Sequence, residues 1–456
     1  MYVRKLIMLF EETSFGPYDK AEIKARKAFE LYEDGKISLA LLELEDALEI
    51  NPSNSAWHFN KALSLDAINR FDEAIREYEA ALELNPLDLE ILNSLAVDYT
   101  RSGHYDLAIS TFEHIQELDS SYEPCYCNRI ITYTEMDQHE LAEQMFYLAQ
   151  QIKSDCALCF YNIGNSLFVR GKYKQAVDCW LRTAELEPTH PQINYRIAQA
   201  YWAEGEYKLA REHFLGEVRV NPGDVDVIFD FGLFLLDVGD IESAKEKFNR
   251  ILEFTPDSAF ALFYLGEIAF NDQDYEKAVD LFNQALEIDG VLAGPRYRLA
   301  EYALMVSDKK QARAYLVSEV ELAPEDTEVL TSLGSMFLKI GELDLATHCL
   351  LKAVELDSSA GEAYYYLGLC SIASEEFGDA AKYFRHTLDI KPDDVSALRD
   401  SAAVYLRMGR AADACECIEK ALSLSGDDPE LKSFKRKIRQ VQAIERVEKL
   451  LCRTRG

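Results

Sequence analysis

Apolar residues recur at helical spacing in paired runs of a dozen or so residues, broken by short polar stretches, and the whole pattern returns every 34 residues. Segments such as "RFDEAIREYEAALELNP" (70–86), "GKYKQAVDCWLRTAELEP" and "QDYEKAVDLFNQALEID" repeat it at multiples of that interval. Counting from Ala21, twelve periods run without insertion to Asp428. Position 20 of the period is alanine in all twelve: Ala40, Ala74, Ala108, Ala142, Ala176, Ala210, Ala244, Ala278, Ala312, Ala346, Ala380 and Ala414. Position 8 is Ala or Gly everywhere except Ile130, and position 24 is large, for example Tyr78, Phe112, Trp180, Phe214, Phe248, Phe282 and Phe384. Two antiparallel helices explain this: small residues let them approach, and a bulky one fills the remaining space. Gly or a substitute at position 15 supplies a left-handed residue that ends the first helix. Pro, Ser or Gly at position 32 stops the second helix, and Asn, Asp or Ser in "NPSNS" and "KPDDVS" caps the next one. A single such hairpin cannot bury its own apolar face, so it must stack on its neighbours.

The pattern resembles the tetratricopeptide repeat family, whose unit carries Leu-Gly, Tyr, Ala, Phe and Pro at these spacings. The resemblance implies an all-α fold: a superhelical solenoid of twelve helix-turn-helix repeats over 21–428, after an N-terminal segment 1–20 and before a basic amphipathic capping helix 429–456. On the capping helix Leu431, Phe434, Ile438, Val441, Ile444, Val447 and Leu451 form one stripe. The large residue of position 4 is replaced by Lys24, His58, Asn194 and Arg296, so looser packing is expected there. Repeats six and nine share "AREHFLGEV" and "ARAYLVSEV" and place Glu217 and Glu319 in a normally small position. Each glutamate is expected to pair with an arginine of its own repeat, Arg196 or Arg211 and Arg298 or Arg313, because an unpaired buried carboxylate is costly. Gly290, Gly294 and Pro295 are candidates for a hinge.

Composition narrows the function. The 456 residues carry a formal charge of −32, with +6 on 429–456 and −38 on the remainder, which disfavours nucleic acid and anionic membranes for the body. No apolar run is long enough for a membrane-spanning helix, and the opening "MYVRKLIMLFEE" is too short in its apolar part for a signal peptide, so a packed N-terminal segment and a cytoplasmic location are expected. Ten cysteines are then expected as reduced thiols. A metal site from Cys125, Cys127, Cys156 and Cys159 is the sharper alternative. Because Cys125 and Cys159 share a position elsewhere held by Ile91, Ile193 and Val227, ordinary packing and no metal are expected. "NDQDYEK" (271–277) has Lys277 where a calcium loop needs Gly and reads as an interhelix turn. No nucleotide, zinc-hydrolase or nucleophile-elbow motif occurs, so neither a cofactor nor an enzymatic activity is expected.

The family resemblance implies a ligand surface on the first helices. On it lie Tyr161, Tyr195, Phe229, Phe263 and Tyr297 in five consecutive repeats, then Phe168, Trp202 and Phe270, with Leu233, Leu236 and Phe260 adding apolar surface. Asn162, Asn165 and Gln199 are candidates to hold a peptide backbone, with Asn60 and Asn128 beside them. The chaperone-tail clamp of some family members is not expected: after Asn165 and Arg196 come Asp226 and Asp230, where cations are needed. The expectation is a scaffold binding a protein or peptide segment. Two other readings stand beside it: an oligomeric structural component assembled through its ends, with the groove partly filled by its own N-terminal segment or a neighbour, and a regulatory subunit of an enzyme complex. The basic terminal helix either caps the solenoid or docks on the acidic body of another copy or on an acidic partner.

Overall fold

The computed structural model describes residues 18–322, 325–426 and 428–454, so the N-terminal segment expected to cover the first repeat lies outside the described residues. Among those described, 25 α-helices and no strands occur, and the first 24 helices are twelve hairpins. Hairpins one to four are α1 (Tyr18–Glu33) and α2 (Ile37–Ile50), α3 (Ser55–Asp66) and α4 (Phe71–Leu84), α5 (Leu89–Arg101) and α6 (Tyr105–Leu118), α7 (Glu123–Glu135) and α8 (His139–Ile152). Hairpins five to eight are α9 (Ala157–Val169) and α10 (Tyr173–Leu186), α11 (Ile193–Ala203) and α12 (Tyr207–Val220), α13 (Val225–Asp237) and α14 (Ile241–Phe254), α15 (Ala259–Asn271) and α16 (Tyr275–Ile288). Hairpins nine to twelve are α17 (Pro295–Met305) and α18 (Lys309–Glu321), α19 (Thr327–Ile340) and α20 (Leu343–Leu356), α21 (Gly361–Ala373) and α22 (Phe377–Ile390), α23 (Val395–Arg407) and α24 (Ala411–Ser425). The last helix is α25 (Pro429–Thr454). The chain divides at Val227/Ile228, within α13, into two compact units.

In both units the alanines of position 20 are fully buried, all twelve at 0% exposure. The small-large pairing is steric. A Cβ built on Gly164 would stand 2.5 Å from the Trp180 ring, on Gly266 2.6 Å from Phe282, and on Gly368 2.6 Å from Phe384. Where Ile130 fills the small position, the matching Phe146 is only half-buried and turns its ring toward Phe160, at 5.4 Å.

All twelve residues at position 15 lie at φ between +58° and +93°, including the non-glycines Asn69, Asp137, Gln273, Ser307 and Glu375. A side chain there is strained, so Glu375→Gly should raise stability by about 0.5–1 kcal/mol, read as a higher urea midpoint with an unchanged slope. Asn54 and Asp394 cap α3 and α23 by accepting the backbone N–H groups of Trp57 and Ala397. Within 271–277, residues 272–274 form the turn from α15 to α16, with Asp274 accepting the Lys277 N–H.

Looser packing at the polar position 4 does not follow. The same hairpin's second helix supplies a polar partner: Glu43 and Asp46 for Lys24, Glu77 for His58 (2.6 Å), and His213 for Asn194 (3.0 Å). Arg296 instead donates to the Gly290 carbonyl.

The expected pairing of Glu319 is corrected. Arg298 grips Glu267 at 2.6 and 2.7 Å, and Arg313 bonds Glu342 at 2.7 Å. Glu319, 2% exposed, accepts the Gly294 N–H at 2.9 Å and has Arg296 4.0 Å away. The reason is local backbone: Gly294 stands at φ +104° before Pro295, which frees its N–H to point at the carboxylate. Burial pushes the Glu319 carboxyl up, against the pull of that N–H and of Arg296. The Gly294 N–H is thus held by Glu319, and Phe263 leaves no room for a Cβ on Gly294. Glu217 is equally buried and accepts the Asn221 side-chain amide at 2.7 Å, so neither glutamate lies on a solvated face. Glu319→Ala, which orphans the Gly294 N–H, should cost about 1–3 kcal/mol, measured by chemical denaturation.

In α25, Leu431 and Ile438 are buried against Leu398, Ala402, Ala414 and Ile418, and Lys435 and Arg439 reach Glu419 at 2.8 and 3.3 Å. Farther along the same stripe Ile444 is 58% exposed. The side chains of Val447 and Leu451 lie outside the described residues.

Candidate functional site

The aromatic residues of the first helices serve their own hairpins before they can serve a ligand. In the first unit, Tyr195 and Trp202 rest on Phe214, with ring centroids 6.3 and 6.4 Å apart, and Phe168 rests on Trp180 (5.7 Å) and Tyr173 (5.2 Å). Tyr161 lies against His190 at 4.4 Å, while its carbonyl accepts the Trp180 indole N–H. In the second unit, Phe229 touches Phe248 (6.0 Å), Phe260 (6.1 Å) and Tyr264 (5.5 Å), and Phe263 and Phe270 both pack on Phe282. Arg298 lies over Phe270 and Tyr297, and burial pushes the Tyr297 phenol up. Packing leaves the first-helix residues Tyr161, Phe168, Tyr195, Trp202, Phe229, Phe263, Phe270 and Tyr297 half-buried, against second-helix rings such as Trp180 and Phe282 that are fully buried. Leu233 and Leu236 are likewise half-buried, and Phe260 is 54% exposed.

Asn162 does not belong to an accessible wall. It is 2% exposed and donates its amide to the Cys127 carbonyl at 2.9 Å, joining α9 to α7. Asn165 and Gln199 remain half-buried, with Gln199 accepting from Arg196 at 3.4 Å, and Asn128 donates to Asn93 at 3.0 Å.

A cleft of about 210 Å³ lies on the first helices α1, α3 and α5, N-terminal to the aromatic series. Phe29, Tyr32, Phe59 and Leu63 make it apolar, and Asn60, Ser64, Glu90 and Ser94 supply polar atoms. The sequence carried a signal for it: these residues occupy the same faces of the first helices, but Leu63 and Phe29 are less conspicuous than five aromatic residues in a row. A larger recess of about 780 Å³ at the N-termini of α19 and α21 is acidic, with Glu325, Asp326, Glu328, Asp357 and Glu362 facing Lys391. Two of its carboxylates have structural duties: Asp326 caps α19, and Asp357 accepts both the N–H and the hydroxyl of Ser359, which holds its carboxyl below the ordinary range.

The expectation of reduced cysteines is corrected at one pair. Cys127 and Cys159 are joined by a disulfide, with Cα atoms 5.0 Å apart, and Cys156 Sγ lies 3.5 Å from Cys127 Sγ. Cys125 is not part of this group. It is buried with its thiol on the Phe112 carbonyl at 3.2 Å, because residues two apart on a helix face different ways. Glu123, one turn before Cys127, takes its place.

The repeat register seen in the structure coincides with matches to known families: tetratricopeptide repeat at residues 59–123, 229–291 and 331–395, YpiA-like C-terminal tetratricopeptide repeats at 191–258, and a further tetratricopeptide repeat description at 371–438. The chain belongs to the tetratricopeptide repeat family. Beyond the repeat itself, similarity is thin. A 111-residue stretch, 24% of this tetratricopeptide repeat chain, is 28% identical to protein O-mannosyl-transferase TMTC3 of Homo sapiens, and it spans only 12% of that protein. Among solved structures, the APC/C hetero-tetramer Cut9-Hcn1 is 14% identical with a TM-score of 0.44, covering 92% of this chain and 96% of that one. Yeast Tom70 is 14% identical with a TM-score of 0.42, covering 94% and 97%. No helix among the described residues is long and apolar enough to cross a membrane.

Proposed function

We propose that this tetratricopeptide repeat chain is a non-catalytic scaffold that holds a protein or peptide segment against the faces of its first helices. The observation that supports it most is the residual exposure of the aromatic residues there: packed by their hairpins, they are not fully covered, and Phe260 is more than half exposed. Rigid, pre-packed rings make good anchors because little side-chain entropy is lost on binding. The cleft on α1, α3 and α5 has the same character, apolar at its floor with amide and hydroxyl groups at hand.

Phe229, Phe263 and Phe270 are poor choices for a test because each supports a buried ring of its own hairpin. Phe260→Ser alters exposed surface instead, and Glu90→Lys does the same at the cleft on α1, α3 and α5. Each should leave the thermal midpoint within a few degrees of wild type while weakening capture of a ligand identified with the wild-type chain by tenfold or more, measured by titration with that purified ligand. Unchanged affinity in both variants rejects the first-helix faces.

The exposed Ile444 supports a second reading, in which the basic end of α25 meets the acidic body of another copy. Gel filtration with and without residues 440–456 distinguishes it: a lower mass on truncation supports self-association, and an unchanged mass rejects it.

A further inference from the structure

The group formed by Glu123, Cys127, Cys156 and Cys159 has no part in the proposed ligand surface. Its two sides come from neighbouring hairpins. Glu123 and Cys127 stand one turn apart on α7, whereas Cys156 caps α9 and Cys159 lies in its first turn. One atom from each of the four lies within 4.8 Å of the others, and all three sulfurs are buried. A tetrahedral zinc ion with Zn–S bonds of about 2.3 Å spaces its sulfur ligands about 3.8 Å apart, comparable with the 3.5 Å between Cys127 and Cys156 Sγ.

One contact makes little sense for a disulfide alone. Glu123 Oε1 stands 2.7 Å from Cys127 Sγ and 3.3 Å from Cys159 Sγ. When these sulfurs are bonded to each other they have no proton to donate, so a carboxylate oxygen faces their lone pairs inside a buried pocket. A shared cation removes that conflict. We propose that in its reduced form this pocket binds one thiophilic divalent cation of the zinc class through Cys127, Cys156, Cys159 and Glu123, fastening hairpin four to hairpin five.

The charge is that of a familiar site: three thiolates and a carboxylate together match the four thiolates of structural zinc centres. The surroundings suit it. The Cys159 N–H points at Cys156 Sγ from 3.4 Å, a contact that favours thiolate at a helix N-terminus. The Asn162 amide holds the Cys127 carbonyl, fixing α7 against α9 from outside the ligand set. Without a cation, burial and the neighbouring Glu123 push the Cys156 thiol up to about 11. The Cys127–Cys159 disulfide is the two-electron-oxidised state of the same pocket. A dithiol reductant cleaves it, leaving as its own disulfide while each freed sulfur gains a proton, and cation binding then releases the thiol protons.

The test uses the full chain, reduced with a dithiol, stripped of metal and reductant under inert gas, and titrated with Co²⁺. Expected are saturation at one equivalent, thiolate-to-cobalt charge-transfer absorption with tetrahedral d–d bands, and displacement by one equivalent of Zn²⁺. Cys156→Ser and Glu123→Gln should each weaken binding by at least the roughly 10–100-fold that loss of an outer-shell partner costs. Cys125→Ser should bind as wild type. Circular dichroism checks that each variant is helical, and Glu123→Gln carries the test if Cys156→Ser is not. The absence of a cobalt–sulfur band in the reduced wild-type chain would overturn the proposal and leave a disulfide only, as would a band of full strength and affinity in Cys156→Ser and Glu123→Gln.

Discussion

Phe282→Ala should cost about 3–5 kcal/mol, because the ring is fully buried and closes the space between α15 and α16. In a repeat array the loss is local, so hydrogen exchange should accelerate first in hairpin eight and only weakly in distant hairpins. A second variant checks the cause. Gly266→Ala alone should cost about 1–3 kcal/mol by overpacking, since its Cβ would come within 2.6 Å of that ring. With the ring removed, the added methyl group occupies vacated space. The double variant should therefore be less destabilised than the sum of the two, by about 1 kcal/mol or more in a double-mutant cycle. Strict additivity would show that the small-large pairing is not the reason the alanine and glycine positions are small.

Asp98→Asn should stabilise the chain strongly above neutral pH and hardly at all near pH 4. Asp98 on α5 is 1% exposed and faces Asp66 of α3, with Arg101 in contact with Asp66 and 3.7 Å from Asp98. Burial, and then the neighbouring Asp66 charge, push its carboxyl up to about 7, with Arg101 opposing. Unfolded aspartate titrates near 3.9. Below that value both states hold the proton and the group costs nothing. As pH rises toward 7 the unfolded chain ionises while the folded chain keeps its proton, so stability falls, and above 7 the full deficit remains. Asparagine removes this dependence, and the expected gain at pH 8 is about 2–4 kcal/mol. Urea midpoints of both proteins from pH 4 to 8 measure it. A gap between them that does not widen with pH contradicts the assignment.

The hairpins were legible because the same steric solution is used twelve times. An alanine at every position 20 and a turn residue at every position 15 report on contacts within one hairpin, which a fixed spacing encodes. Contacts that depend on backbone conformation were not legible. Glu319 was matched to arginines by charge, yet its partner is an N–H freed by the positive φ of Gly294. Polar residues at position 4 looked like defects until Glu77 and His213 stood opposite His58 and Asn194. Three members of the cysteine group, Cys127, Cys156 and Cys159, stand out in the sequence, but C-x-C suggests Cys125 as the fourth, whereas on a helix it is Glu123 and Cys127, four apart, that share a face. On the ligand surface, the aromatic series was visible in sequence, but how much of each ring the hairpin itself covers was not, and Asn162 turned out to be a buried strut.

On the proposed function, ligands are held by the first helices and not by the second. Site-specific photo-crosslinking tests it most directly, with a photoreactive phenylalanine analogue placed at Leu63 and Phe260 on first helices and at Leu107 and Tyr147, both exposed, on second helices. A purified ligand should crosslink from position 63 or 260 and not from 107 or 147. Crosslinks confined to 107 and 147 would contradict it.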